Sequence, residues 1–134
     1  MLKNNLPEKY QLVTKNIISI NEDSLGGAIS NINAYTGYCN FDLSKFKSYA
    51  KQLQLTNKEQ QMCIASTLVH ESYHRDLNYR GIQDTANGIS RLESEVLAES
   101  QRRQTLISLG ASKKLLSISS VDWIIDTNYN GTLP

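Results

Sequence analysis

Apolar side chains recur along this chain in two rhythms, a helical one that dominates from Ser44 onward and a two-residue one confined to the first third. Near the N-terminus, the spacing of Tyr10, Val13 and Ile17 predicts a short helix from Pro7 to about Asn16, and Ile17-Ile18-Ser19-Ile20 reads as a strand. Gly26-Gly27 opens a segment that runs through Asn33, Ala34-Tyr35-Thr36-Gly37 can turn, and Tyr38 to Leu43 alternates Cys39, Phe41 and Leu43 with polar partners. That pattern predicts a hairpin with one buried face. Ile29 and Ile32 are out of phase with each other, so its first arm is either bulged or short.

In the helical part, Thr56-Asn57-Lys58-Glu59 has the form of a capping box, in which Thr56 and Glu59 each satisfy a free amide of the other. A long helix is expected from about Asn57 to Tyr79. A second, capped by Thr85 or Asn87, carries Ile89, Leu92, Val96, Leu106 and Ile107 at helical spacing until Gly110 stops it. A short segment near Lys113 to Leu116, a Trp123-Ile124-Ile125 cluster and an Asn130-Gly131 turn complete the chain. The fold class expected is α+β, a small antiparallel sheet packed on two long helices.

With 134 residues, 40% of them apolar, the chain is sized for one domain over 1–134 with a single core. A formal net charge of +1 leaves no field to recruit nucleic acid or an anionic membrane. The N-terminal stretch lacks an apolar signal region and no run suits a membrane span, so a cytoplasmic location is expected if Met1 is the native start. Cys39 and Cys63 are too few for a disulfide framework and fit a pair of buried thiols.

The chemistry concentrates in the first long helix, where His70-Glu71-Ser72-Tyr73-His74 forms an H-E-x-x-H motif. Residues four apart on a helix are about 40° apart in azimuth and about 6 Å along the axis, so both imidazoles can converge on one zinc ion. Glu71 lies about 100° from His70, placed to handle the proton of a metal-activated water without being a ligand. These are the only two histidines of the chain. Small and polar Cys63, Ser66 and Thr67 share their arc, whereas Met62, Ala65, Leu68 and Val69 fall on the arc away from them.

A catalytic zinc takes a third protein ligand and keeps an open position. On the second long helix, with Glu95 at zero azimuth, Glu99 lies near 40° and Leu106 near 20°, while Glu93 lies near 160°. Glu95 and Glu99 therefore share the inward arc, a like-charged pair that a cation would relieve. This reading makes Glu95 the third ligand and Glu99 the acceptor of an outer imidazole N–H. The bland alternative is a buried ion pair with Arg103.

His70-Glu71-x-x-His74, followed after twenty residues by Glu95-x-x-x-Glu99, resembles the gluzincin zinc metallopeptidases, and the short chain is similar to their minigluzincin-like members. The resemblance covers Gly26 to about Gly110 and implies a zincin-like fold with an active-site helix and a glutamate helix. It implies one zinc ion per chain held by His70, His74 and Glu95, with Glu71 as general base, Glu99 in its supporting role and a peptide or protein as substrate. Glu99 stands where the family usually has aspartate. The family's last strand before the active helix is an edge that binds extended substrate, which assigns that role to Tyr38, Cys39, Asn40 and Phe41. With no third histidine, Tyr35, Tyr79 and Tyr129 are the candidates for an oxyanion partner.

Two further readings stay open. The chain could be a zinc-binding interaction or regulatory module that retains the site, or a metal-free helical protein with chance histidines. The tail, with Trp123 and Ile125, either completes the core or lies across the cleft.

Overall fold

The computed structural model describes residues 1–26, 28–81 and 91–118. A short turn of helix, α1 (Leu2–Asn5), leads into α2 (Pro7–Asn16), which starts with proline in the first helical position, where a missing N–H costs nothing. Three short strands follow: β1 (Ser19–Glu22), β2 (Ser30–Ile32) and β3 (Tyr38–Phe41). Four helices come next: α3 (Leu43–Gln52), α4 (Asn57–Tyr79), α5 (Arg91–Ser108) and α6 (Lys113–Ile118). The architecture is α+β, and none of its described helices is long and apolar enough to cross a membrane.

The sheet corrects the expectation in two ways. It is mixed rather than antiparallel, and its order is β1-β3-β2, so Tyr38, Cys39, Asn40 and Phe41 form the central strand and not an edge. β1 runs parallel to β3 with Ile20 beside Cys39, and β2 runs antiparallel with Ser30 beside Phe41 and Ile32 beside Cys39. The physical reason is burial. Cys39 and Phe41 are the deeply buried strand residues, and the strand that carries them takes the middle of the sheet, while β1 keeps Ile20 55% exposed at the rim. Hairpin pairing is local and legible, but the return of β1 alongside β3 is a long-range pairing that alternation does not encode.

The hairpin turn has local causes. The Asn33 side chain accepts hydrogen bonds from the amides of Tyr35 and Thr36, and Gly37 adopts φ +76°. A Cβ at Gly37 would collide with the Arg75 guanidinium and come within 2.8 Å of the Asn16 carbonyl. Its lack of a side chain therefore serves both the turn and the packing.

α4 begins where expected, with both halves of the capping box formed between Thr56 and Glu59. Its first half is gripped by apolar groups. Met62 and Cys63 join Phe41, Phe46, Ala50, Leu55, Leu106 and Leu115 in one cluster, and Ala65 and Val69 pack with Leu2, Leu12 and Val13 in another. The thiols of Cys39 and Cys63 are buried and free, as expected from their number. After Val69 the buried residues are mostly polar, Glu71, Ser72, His74 and Arg75, before apolar Leu77 near the helix end. The predicted caps at Thr85 and Asn87, the core position Ile89, the Trp123 cluster, the Asn130-Gly131 turn and Tyr129 lie outside the described residues.

Candidate metal centre

The apolar first half of α4 fixes the helix against α5, and the polar second half then presents its side chains to the start of α5. Across that contact, His70 Nε2 and His74 Nε2 stand 3.2 Å apart. The two oxygens of Glu95 divide between them: Oε2 lies 3.5 Å from His70 Nε2 and Oε1 lies 3.0 Å from His74 Nε2. Single donor atoms from these three side chains fall within 4.8 Å of one another, so the group could hold a metal ion. Glu95 keeps a quarter of its side chain exposed, which leaves the donors reachable from solvent.

The outer ring nitrogens are occupied. His70 Nδ1 lies 2.9 Å from Glu99 Oε2, and His74 Nδ1 lies 3.0 Å from Ser94 Oγ. A carboxylate only accepts, so Nδ1 of His70 carries a proton and donates it to Glu99. Glu93 is exposed, as its azimuth requires. Arg102 Nη1 lies 3.6 Å from Glu99 Oε1, so Arg102, the neighbour of the arginine weighed from sequence, forms an ion pair with this carboxylate.

Electrostatics follow from the geometry. Burial alone would lower the His70 pKa, but hydrogen bonds to Glu95 and Glu99, with the charges of Glu71 and Glu99, raise it to about 10. Burial would likewise raise Glu95, yet the hydrogen bonds and charges of His70 and His74 outweigh it and hold the carboxyl well below the usual range. The metal-free centre is thus an imidazolium between two carboxylates. The Cys39 thiol is pushed up to about 12 by burial and then by the Glu71 charge, which keeps it protonated.

Glu71 is buried, and its Oε1 accepts a hydrogen bond of 2.9 Å from Ser30 Oγ on β2. The general-base candidate is therefore fixed by an edge strand. Tyr38, Cys39, Asn40 and Phe41 are not brought to an open edge, since β3 is bonded on both sides. Of the tyrosines, Tyr79 lies about 140° around α4 from His74 and its hydroxyl accepts from Arg75, while Tyr35 is 85% exposed in the turn.

Three residues were missed from sequence. Arg102 had a signal, because seven residues on from Glu95 returns to within about 20° of its azimuth. Ser94 and Ser30 had none, since each acquires its partner only when helix meets helix or strand meets helix. No family model, curated protein or solved structure matches the chain significantly.

Proposed function

We propose that this chain is a zinc-dependent peptidase of gluzincin type, and the observation that carries the reading is the convergence of His70, His74 and Glu95 beside Glu71. Donors about 2.0–2.2 Å from a tetrahedral zinc are separated by about 3.3 Å; the two imidazole nitrogens stand 3.2 Å apart, and single donor atoms of the three side chains lie within 4.8 Å of one another, so small side-chain rotations would bring them to that spacing. Two imidazoles and one carboxylate are the donor types of a catalytic zinc with an open position. Zinc bound there supplies Lewis acidity and an activated water at neutral pH.

This chain's own residues do the rest. Glu71 accepts a proton through the oxygen that Ser30 does not hold and returns it to the leaving amine. The role expected of β3 passes to β2, the edge tied to Glu71. Asn33 and Ile29 bond toward β3 through Tyr38 and Asp42, so by alternation Ser30 and Ile32 direct their N–H and C=O groups outward. An extended peptide can add there as a further strand, with its scissile carbonyl near Glu71.

The shortness of β2, three residues, favours a second reading, a zinc-holding interaction or regulatory module with too little edge to grip a substrate. Elemental analysis followed by digestion of a peptide library with and without chelator separates the readings. The peptidase reading expects about one zinc per chain, chelator-sensitive cleavage, and a Glu71→Gln variant that keeps the metal and cleaves nothing. Zinc without cleavage favours the module, and cleavage that survives chelation or Glu71→Gln overturns the peptidase.

A further inference from the structure

We infer that Ser30 is a positioning residue that ties the general base to the substrate edge: its hydroxyl sets the plane of the Glu71 carboxylate while its main chain receives the peptide, so base and scissile bond are placed from one residue. This rests on the peptidase reading of the site.

Glu71 is 5% exposed, and Ser30 Oγ donates to its Oε1 at 2.9 Å. Among the described residues, that hydroxyl is the hydrogen-bond partner of the carboxylate. The last torsion of a glutamate is broad, so a donor held on one oxygen sets the angle at which the other is presented. The main chain of the same residue points elsewhere. Ile29 gives its carbonyl to the Asp42 amide at 2.7 Å on the β3 side, so by alternation the N–H and C=O of Ser30 lie on the outer edge of β2. One residue thus meets the base through its side chain and an added strand through its backbone.

The place of Ser30 is fixed independently of its hydroxyl. Glu71, Arg75 and Asn78 follow one another at intervals of four and three residues, so they share a face of α4. Besides Glu71 on Ser30, Arg75 donates to the Tyr35 carbonyl at 3.5 Å and Asn78 to the Ala34 carbonyl at 3.4 Å. The β2–β3 hairpin is therefore pinned to α4 at its turn as well as at the first residue of β2. Without the Ser30 hydroxyl the strand keeps its place and the carboxylate alone loses its hold, which distinguishes this role from that of a residue that merely builds the sheet.

The test compares wild type, Ser30→Ala and Ser30→Thr by peptide-cleavage kinetics and by infrared spectra, in which the Glu71 carboxylate band is identified by its loss in Glu71→Gln. A misaimed base is expected to lower kcat by about tenfold to a hundredfold in Ser30→Ala, with KM within about twofold of wild type. The Glu71 band should shift in the same variant, and Ser30→Thr, which keeps the hydroxyl, should recover most of both. Ser30→Cys keeps the shape with a weak donor, and serves if the alanine variant does not fold. The main-chain half is read with peptides N-methylated at one position at a time: one position should lose about tenfold or more in kcat/KM, where an amide can no longer bond the Ser30 carbonyl. Wild-type kcat in the folded variants, a raised KM with kcat unchanged, an unshifted Glu71 band, or equal effects of N-methylation at every position overturns the inference. A wild type that cleaves no peptide overturns the underlying reading instead, and the infrared band still decides whether Ser30 holds Glu71.

Discussion

α4 carries two buried polar clusters on different faces, and their contrast separates a site from a fastening. On the side of α5, His70, His74, Glu95 and Glu99 face one another through atoms that can exchange a proton for a cation. On the side of α2, Arg75 donates to the Asn16 carbonyl at 2.7 Å, the Tyr35 carbonyl at 3.5 Å and the Tyr79 hydroxyl at 2.8 Å, with its guanidinium 4.8 Å from the Tyr79 ring centroid. Arginine does not release its proton, and two of its partners are main-chain oxygens with fixed places. Asn16 ends α2, so the cation also meets the negative end of that helix. Burial of polar groups is common to both clusters, and only the first can trade its contents.

The sharpest way to break this contrast is to delete one member from each side, since His74 and Arg75 are adjacent. On the proposed zinc reading, His74→Ala is expected to weaken zinc binding by at least about three orders of magnitude, because it removes one of the three proposed ligands. Arg75→Met should leave zinc affinity within a few-fold of wild type yet cost about 2–4 kcal/mol of stability, from unpaired carbonyls and a lost buried network. Paired affinity titrations and denaturant melts read both. A large affinity loss in Arg75→Met would mean that the two faces are coupled.

The same contrast explains what could be read from the sequence. The capping box and the four-residue histidine spacing act within one helix, so the ends of α4 and the shared direction of His70 and His74 were legible. The azimuths of Glu95 and Glu99 were legible too, because amphipathic α5 has one inward arc. Strand order was not, since β1 pairs with β3 across a crossover that no local pattern records. Arg75 escaped notice for a similar reason: its partners lie 40 and 59 residues away, on a turn and a helix end. Residues whose role is set within a helix could be placed, and residues that join elements could not.

A second prediction sharpens the contrast through pH, because the α5 side carries groups whose pKa values are strongly shifted. In the metal-free protein, the His70 pKa is raised from 6.5 to about 10, despite burial, by its hydrogen bonds to Glu95 and Glu99. Its contribution to stability is therefore fully present below pH 6.5 and lost as pH rises through about 10. Glu95 is lowered from 4.5, so its contribution is present above pH 4.5 and lost as pH falls through the folded value. Metal-free melting temperatures should thus peak between those limits and decline toward alkaline pH. Zinc takes the place of one proton on His70, so affinity should rise about tenfold per pH unit on the acid side of that pKa. A flat metal-free melting profile from pH 6.5 to 10 would remove the imidazolium from the account.

The smallest expected effect distinguishes the two imidazoles from each other. His70 Nδ1 donates to a buried carboxylate and His74 Nδ1 meets, among the described residues, the Ser94 hydroxyl, so their outer contacts differ in charge. A charge-assisted bond is roughly twice as strong as a neutral one, and more of the aim of His70 than of His74 is then fixed from outside. Ser94 is fully buried where α5 meets α4, so Ser94→Ala leaves His74 Nδ1 without its recorded partner and in a place that water does not readily reach. That loss should cost about 1–3 kcal/mol of stability and about tenfold in zinc affinity, the low end for an outer-shell partner. Glu99→Gln, which keeps the shape but removes the charge at His70, should cost more affinity than Ser94→Ala. Chelator competition on the two variants checks the order, and a larger loss at Ser94 would show that His74 is the histidine whose aim depends most on its outer contact.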